Sequence, residues 1–167
     1  MAFKPVIGFL FLALISGTAI AASSPGILPP GSVPGATNPD VTQENIGTTI
    51  CVKGWTKTVR PPASYTSPIK RRLMEAAGIP WSDHAQYELD HRVPLEVGGN
   101  PSDESNLWIE PYFGAWNAHL KDDLELRINR LVCSGQMTLE EGQAVFLAPD
   151  WTAEYLKYFG EPAESSD

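Results

Sequence analysis

The stretch from Tyr87 to Asn100, with Asn106 to Glu110 behind it, limits the fold of this chain more than any other. Tyr87, Leu89 and Val93 alternate with polar residues, which reads as a short strand ending near the adjacent pair Asp90 and His91. Pro94 and the Gly98-Gly99 pair form a loop that turns the chain back, and Asn106 opens a second strand. Beyond Pro111 the spacing becomes helical: Trp116, Leu120, Leu124, Ile128 and Leu131 make an apolar stripe that predicts a helix to about Cys133. Strand, loop, strand and helix, with a carboxylate beside an imidazole at the first bend, is a compact frame for one divalent metal.

The flanking sequence sets the boundaries. Lys4, the apolar run Val6 to Ile15 and the small residues Ala19 to Ala21 have the order of a secretory signal peptide, residues 1–21, cut after Ala21 or Ala22. The apolar run is too short to span a bilayer comfortably, so the product is expected to be secreted or periplasmic and free of the membrane after cleavage. Residues 22–45 are rich in Pro, Gly, Ser and Thr and read as a flexible leader. Residues 46–160 form the expected domain, and 161–167 a loose acidic tail. Within the domain, Thr48 to Val52 reads as an edge strand, and a helix should start near Ser67 with Pro68 at its first position. Thr138 to Glu141 is a capping box opening a later helix, and Pro149-Asp150-Trp151 starts a final short one. In an oxidising compartment, the only two cysteines favour a Cys51–Cys133 disulfide. Closing so long a loop would remove on the order of 4 kcal/mol of unfolded-state entropy.

The formal net charge of −8 counts against strong long-range attraction to nucleic acid. Its distribution tempers this. Lys53, Lys57, Arg60, Lys70, Arg71 and Arg72 lie in a run without a single acid, which is either a basic face or a merely solvated stretch.

Asp90 is a hard oxygen ligand suited to Mg²⁺, and His91, with a pKa near neutrality, can take a proton from an attacking water. A metal on the scissile phosphate would offset charge in the transition state. Asp90-His91, Pro94, Gly98-Gly99, Asn106-Leu107 and the following helix resemble the His-Asn-His (HNH) endonucleases of the ββα-metal superfamily over roughly residues 88–125. A wider run resembles a group of secreted bacterial HNH-like proteins: Cys51 to Lys57, Val59 to Pro62, Ser64 to Thr66, Asn106 to Pro111, Lys121-Asp122 with Glu125, and Val132 to Gly135.

The resemblance implies an α+β fold with a small ββα-metal core and additional helices. It implies His91 as general base, Asp90 as metal ligand, and Asn106 as the residue that steadies the His91 loop. The third motif position departs from the pattern, because the usual spacing falls near Ala115. Asn117 suits a hard cation and His119 suits Zn²⁺ better; both stay open as the third ligand. Arg92, Arg60 and Lys57 are candidates for phosphate binding, and Lys121, Asp122 and Glu125 read first as a solvated helix face. The expected activity is metal-dependent hydrolysis of nucleic acid, DNA ahead of RNA, with Mg²⁺, Mn²⁺ or Zn²⁺. Two other readings stand beside it: a secreted binding or structural module that keeps the motif's shape without catalysis, and a metal phosphodiesterase acting on small esters.

Overall fold

The structure, a computed structural model, describes residues 27–162. The expected signal peptide and most of the acidic tail lie outside the described residues. The described residues are α+β, with five α-helices around a two-stranded sheet. Strands β1 (Tyr87–His91) and β2 (Leu107–Pro111) pair antiparallel, Glu88 opposite Glu110 and Asp90 opposite Trp108. Because side chains alternate along a strand, these four share one face, and Tyr87, Leu89 and His91 take the other.

The second face lies against α2 (Ala63–Ala76), where Met74, Ile79 and Ile109 are buried together with Leu73, Tyr87 and Leu89 beside them. The expected start of α2 is corrected: it begins at Ala63, four residues earlier, and Pro68 lies inside it rather than at its first position. An internal proline removes one backbone hydrogen bond, and Ile69 and Met74, both buried, supply the packing that offsets it.

The larger core joins α3 (Ala118–Cys133), α4 (Leu139–Leu147) and α5 (Trp151–Phe159) to the loop after β1. Leu124, Ile128 and Val132 form the fully buried line of α3, facing Val93, Val97, Phe146 and Trp151. Gly142 lets α4 come close, since a Cβ there would stand 2.7 Å from Val132 Cγ2. Thr138 and Glu141 close a full capping box on α4, and Asp150 caps α5. The Cys51–Cys133 disulfide ties the segment before α1 (Trp55–Val59) to the end of α3. No helix among the described residues is long and apolar enough to cross a membrane.

Two further expectations are corrected. Thr48 to Val52 forms no strand; a 3-10 turn over Ile46–Thr48 and bends carry the chain into α1. With no neighbouring strand beside it, β-branched residues alone cannot hold a sheet edge. Residues 27–45 are also not a loose leader. Val33 and Val41 are buried, Thr37 bridges Gly99, and the backbone bonds Ser105, Gly98 and Asn100. Trp151 Nε1 donates to Ile27 O at 2.7 Å, which closes the far end. A segment rich in proline has less conformational freedom to lose, so a few backbone hydrogen bonds suffice to lay it down.

Candidate active site around Asp90 and His91

Between the strands, the chain makes a tight loop that Asn106 holds from inside. Its side chain is fully buried and is bonded in four directions. Oδ1 accepts from Val93 N at 2.8 Å and Ala36 N at 3.2 Å, while Nδ2 donates to Val93 O and Asn100 O, both at 3.0 Å. An amide has one acceptor and two donor hydrogens at this spacing, which a carboxylate or a hydroxyl could not reproduce. Arg92 N donates to the Asn106 carbonyl as well. The Gly98-Gly99 pair lets the loop close: Gly98 has φ +75°, and a Cβ on Gly99 would lie 1.8 Å from Val93 O.

This loop fixes the imidazole of His91. Its Nε2 lies 3.1 Å from Pro101 O. A carbonyl only accepts, so Nε2 carries the hydrogen and Nδ1 keeps the lone pair. Burial pushes the His91 pKa below its ordinary value, although the charge of Asp90 works the other way. The ring is therefore neutral at neutral pH, the state a proton acceptor needs.

Asp90 points to the opposite face, towards α3. Lys121, one turn into that helix, reaches back so that its Nζ donates to Asp90 Oδ2 and Glu125 Oε1, both at 2.5 Å, and to His91 O at 3.0 Å. Its side chain is only 1% exposed and its ammonium also faces the Phe146 ring. Burial alone would raise the Asp90 pKa; the adjacent ammonium reverses this and holds the carboxyl below its usual range. Lys121 is held well above its ordinary value, since Asp90, Glu125 and Glu110 outweigh its burial.

Glu110 stands in the same layer, fully buried, and no protein donor among the described residues reaches either carboxylate oxygen. Burial, with the charge of Asp90 beside it, pushes its pKa up to about 11, so it is a neutral acid in the folded chain. Burial raises Glu125 too, by a large amount. Lys121 and Asp90 supply the opposite charges at the centre of the group, Glu110 lies beside them as a neutral acid, and Glu125 accepts from the same ammonium. At its edge, half-buried Glu88 is raised by burial and by Asp90, and Asp122 is pushed up to about 6 by burial and by Glu88.

Asp90 and His91 are chain neighbours whose side chains take opposite faces of the ribbon, Asn106 holds the loop that follows them, and the other candidates lie elsewhere. Asn117 caps α3: its Oδ1 accepts from His119 N and Leu120 N, and its Nδ2 donates to Gly114 O. His119 is exposed and stacks on Tyr112 with ring centroids 5.1 Å apart. Arg92, expected to bind phosphate, is instead engaged by the protein's own backbone. Its guanidinium donates to the carbonyls of Val33, Phe146, Leu147 and Ala148, tying the N-terminal strap to the end of α4. Within the basic run, Lys70 bonds the carbonyls of His84 and Tyr87, Arg71 lies over Trp81, and Arg72 pairs with Glu104. Lys53, Lys57 and Arg60 are exposed, with no ion-pair partner among the described residues. Arg60 is near enough to His91 for its charge to help lower that pKa.

The metal expected at Asp90 does not fit these side chains. The Asp90 carboxylate is paired with an ammonium, the Asn117 oxygen is used as a helix cap, and His119 turns to Tyr112. Among the described residues no three His, Cys, Asp or Glu side chains are arranged to hold an ion. What the sequence reading misplaced is Lys121 and Glu125, which are buried rather than solvated. A signal was present: Lys121 is three residues before Leu124 and seven before Ile128, on the buried stripe of α3. Searches against family models, curated proteins and solved structures find no match to this chain.

Proposed function

We propose that β1, β2 and α3 form a ββα-metal-type core and that the chain is an exported nuclease, hydrolysing phosphodiester bonds in nucleic acid with His91 as general base. The observation that carries this reading is the hydrogen bond from His91 Nε2 to Pro101 O, within a loop clamped by Asn106. It leaves Nδ1 as the acceptor. In the proposed step, Nδ1 takes a proton from water, the water oxygen forms a bond to phosphorus, and the ester P–O bond breaks. Its electron pair goes to the leaving oxygen, which takes a proton from solvent. Arg60 and Lys57 are exposed cations available to hold the phosphodiester. The Cys51–Cys133 disulfide is in keeping with an oxidising compartment.

The test is cleavage of plasmid DNA and of RNA by the purified chain and by His91→Ala. Loss of a general base is expected to reduce the rate at least about 10²-fold, with the circular dichroism spectrum unchanged. Equal cleavage by the two proteins would remove His91 from the mechanism.

A second reading, an exported binding module without catalysis, draws on the same geometry: Asp90 is closed off by Lys121, and the net charge of −8 disfavours a polyanion. Saturable binding of a partner with no cleavage of any nucleic acid would favour it.

A further inference from the structure

We infer that the ammonium of Lys121 stands where a divalent cation would otherwise be held, so that Asp90 binds no metal and the hydrolysis proposed above, on which this second half rests, needs none. Three oxygens surround Nζ: Asp90 Oδ2 and Glu125 Oε1 at 2.5 Å and His91 O at 3.0 Å. Two carboxyl oxygens and a backbone carbonyl are the donor types that a hard cation selects. Here they have already closed around a positive charge fixed to the protein. A divalent ion placed on Asp90 would face that charge across a few ångströms of buried, low-dielectric space.

Lys121 has no easy way out of the site. Its side chain is 1% exposed, its stem is enclosed by the core of α3, and Phe146 lies across its head. Of the remaining acids, Glu125 is already engaged by the same ammonium, at 2.5 Å. The two helix residues that could complete a metal shell point their donors elsewhere, Asn117 into its cap and His119 onto Tyr112. In this arrangement Lys121 is a positioning residue: it holds Asp90 and the His91 carbonyl to α3, and so fixes the backbone from which the imidazole projects. Charge on the phosphate falls to exposed side chains, Arg60 first among them.

The experiment pairs a binding measurement with a cleavage measurement on the full chain. Mn²⁺ is titrated into the protein and followed by electron paramagnetic resonance, while the His91 ring resonances are followed by NMR. The expected result is no saturable Mn²⁺ and no broadening at His91. One saturable ion per chain that broadens the His91 resonances would overturn the inference. In parallel, DNA and RNA cleavage is compared in excess EDTA and in Mg²⁺, with equal rates expected. Cleavage that stops in EDTA and returns with Mg²⁺ would also overturn it. Absence of cleavage under both conditions, with no Mn²⁺ bound, would retire the nuclease reading and leave the assignment of Lys121 standing. Lys121→Met, if folded, is expected to gain a saturable Mn²⁺; the wild-type titration decides the matter without it.

Discussion

The two faces of the β1–β2 ribbon are built from the same five-residue strands and are held by opposite means. Towards α2, Tyr87, Leu89 and Ile109 meet Met74 and Ile79 in a purely apolar contact. Towards α3, Glu88, Asp90 and Glu110 meet Lys121 and Glu125. Apolar contact is non-directional and tolerates a shift of the helix, since its strength follows the area buried. The ionic layer has fixed distances and directions, and Asp90 or Lys121 left alone is a buried charge without a partner. The α2 face therefore supplies adhesion, while the α3 face supplies position. The imidazole of His91 projects from the strand end where the two meet.

The largest expected effect is on the ionic side. Lys121→Met keeps the length of the stem and removes the ammonium, leaving Asp90 ionised and buried, which costs about 3–5 kcal/mol. Urea unfolding midpoints measure it, and a loss below about 1 kcal/mol would mean the ion network does not hold α3 to the ribbon. Adding Asp90→Asn should return part of the loss, because the pair then leaves no unmatched charge. On the apolar side, Met74→Ala should cost about 3 kcal/mol, and by the same amount across neutral and mildly alkaline pH, since nothing in that contact titrates. A Met74→Ala penalty that varied with pH as steeply as that of Lys121→Met would erase the distinction between the faces. At the seam, Asn106→Ala leaves Val93 N–H and C=O without partners and should cost about 2 kcal/mol. Cleavage should fall more than stability, because the loop that carries His91 loses its clamp.

How much of this could be read in advance follows from the range of each interaction. The stripe of α3, the Thr138 capping box and the Asp150 cap are local, each set by residues within a turn or two, and all three are in place. The disulfide was legible because only one pairing exists for two cysteines. The strap formed by residues 27–45 was not legible, because its order comes from hydrogen bonds to Gly98, Ser105 and Asn106, some 60 to 70 residues away. Arg92 misled for a similar reason: a guanidinium in a motif suggests phosphate, whereas its partners are carbonyls at the end of α4. Lys121 was the subtlest case. Its i,i+4 spacing to Glu125 suits an exposed ion pair and a buried one equally, and only its alignment with Leu124 and Ile128 separates them.

The smallest effect is the most specific to the α3 face. Glu110, pushed up to about 11 by burial and by Asp90, keeps its proton in the folded chain, while the unfolded chain loses it near the ordinary value of 4.5. Between those values the folded state binds the extra proton, so stability must fall as pH rises. Glu125 is raised by burial and contributes with the same sign. His91, whose pKa is lowered, adds stability only as pH rises towards its ordinary 6.5, and Asp122 has finished titrating near 6. Above pH 7 the slope therefore follows Glu110. Glu110→Gln presents an amide donor to Asp90 with no proton to lose, so the decline in melting temperature from pH 7 to 9 should become shallower, with little change at pH 5. If the wild-type melting temperature stays level or climbs across that interval, Glu110 is not a neutral acid in the folded chain. The ionic layer would then carry more negative charge than one lysine can balance, and a second cation would have to be sought beside Asp90.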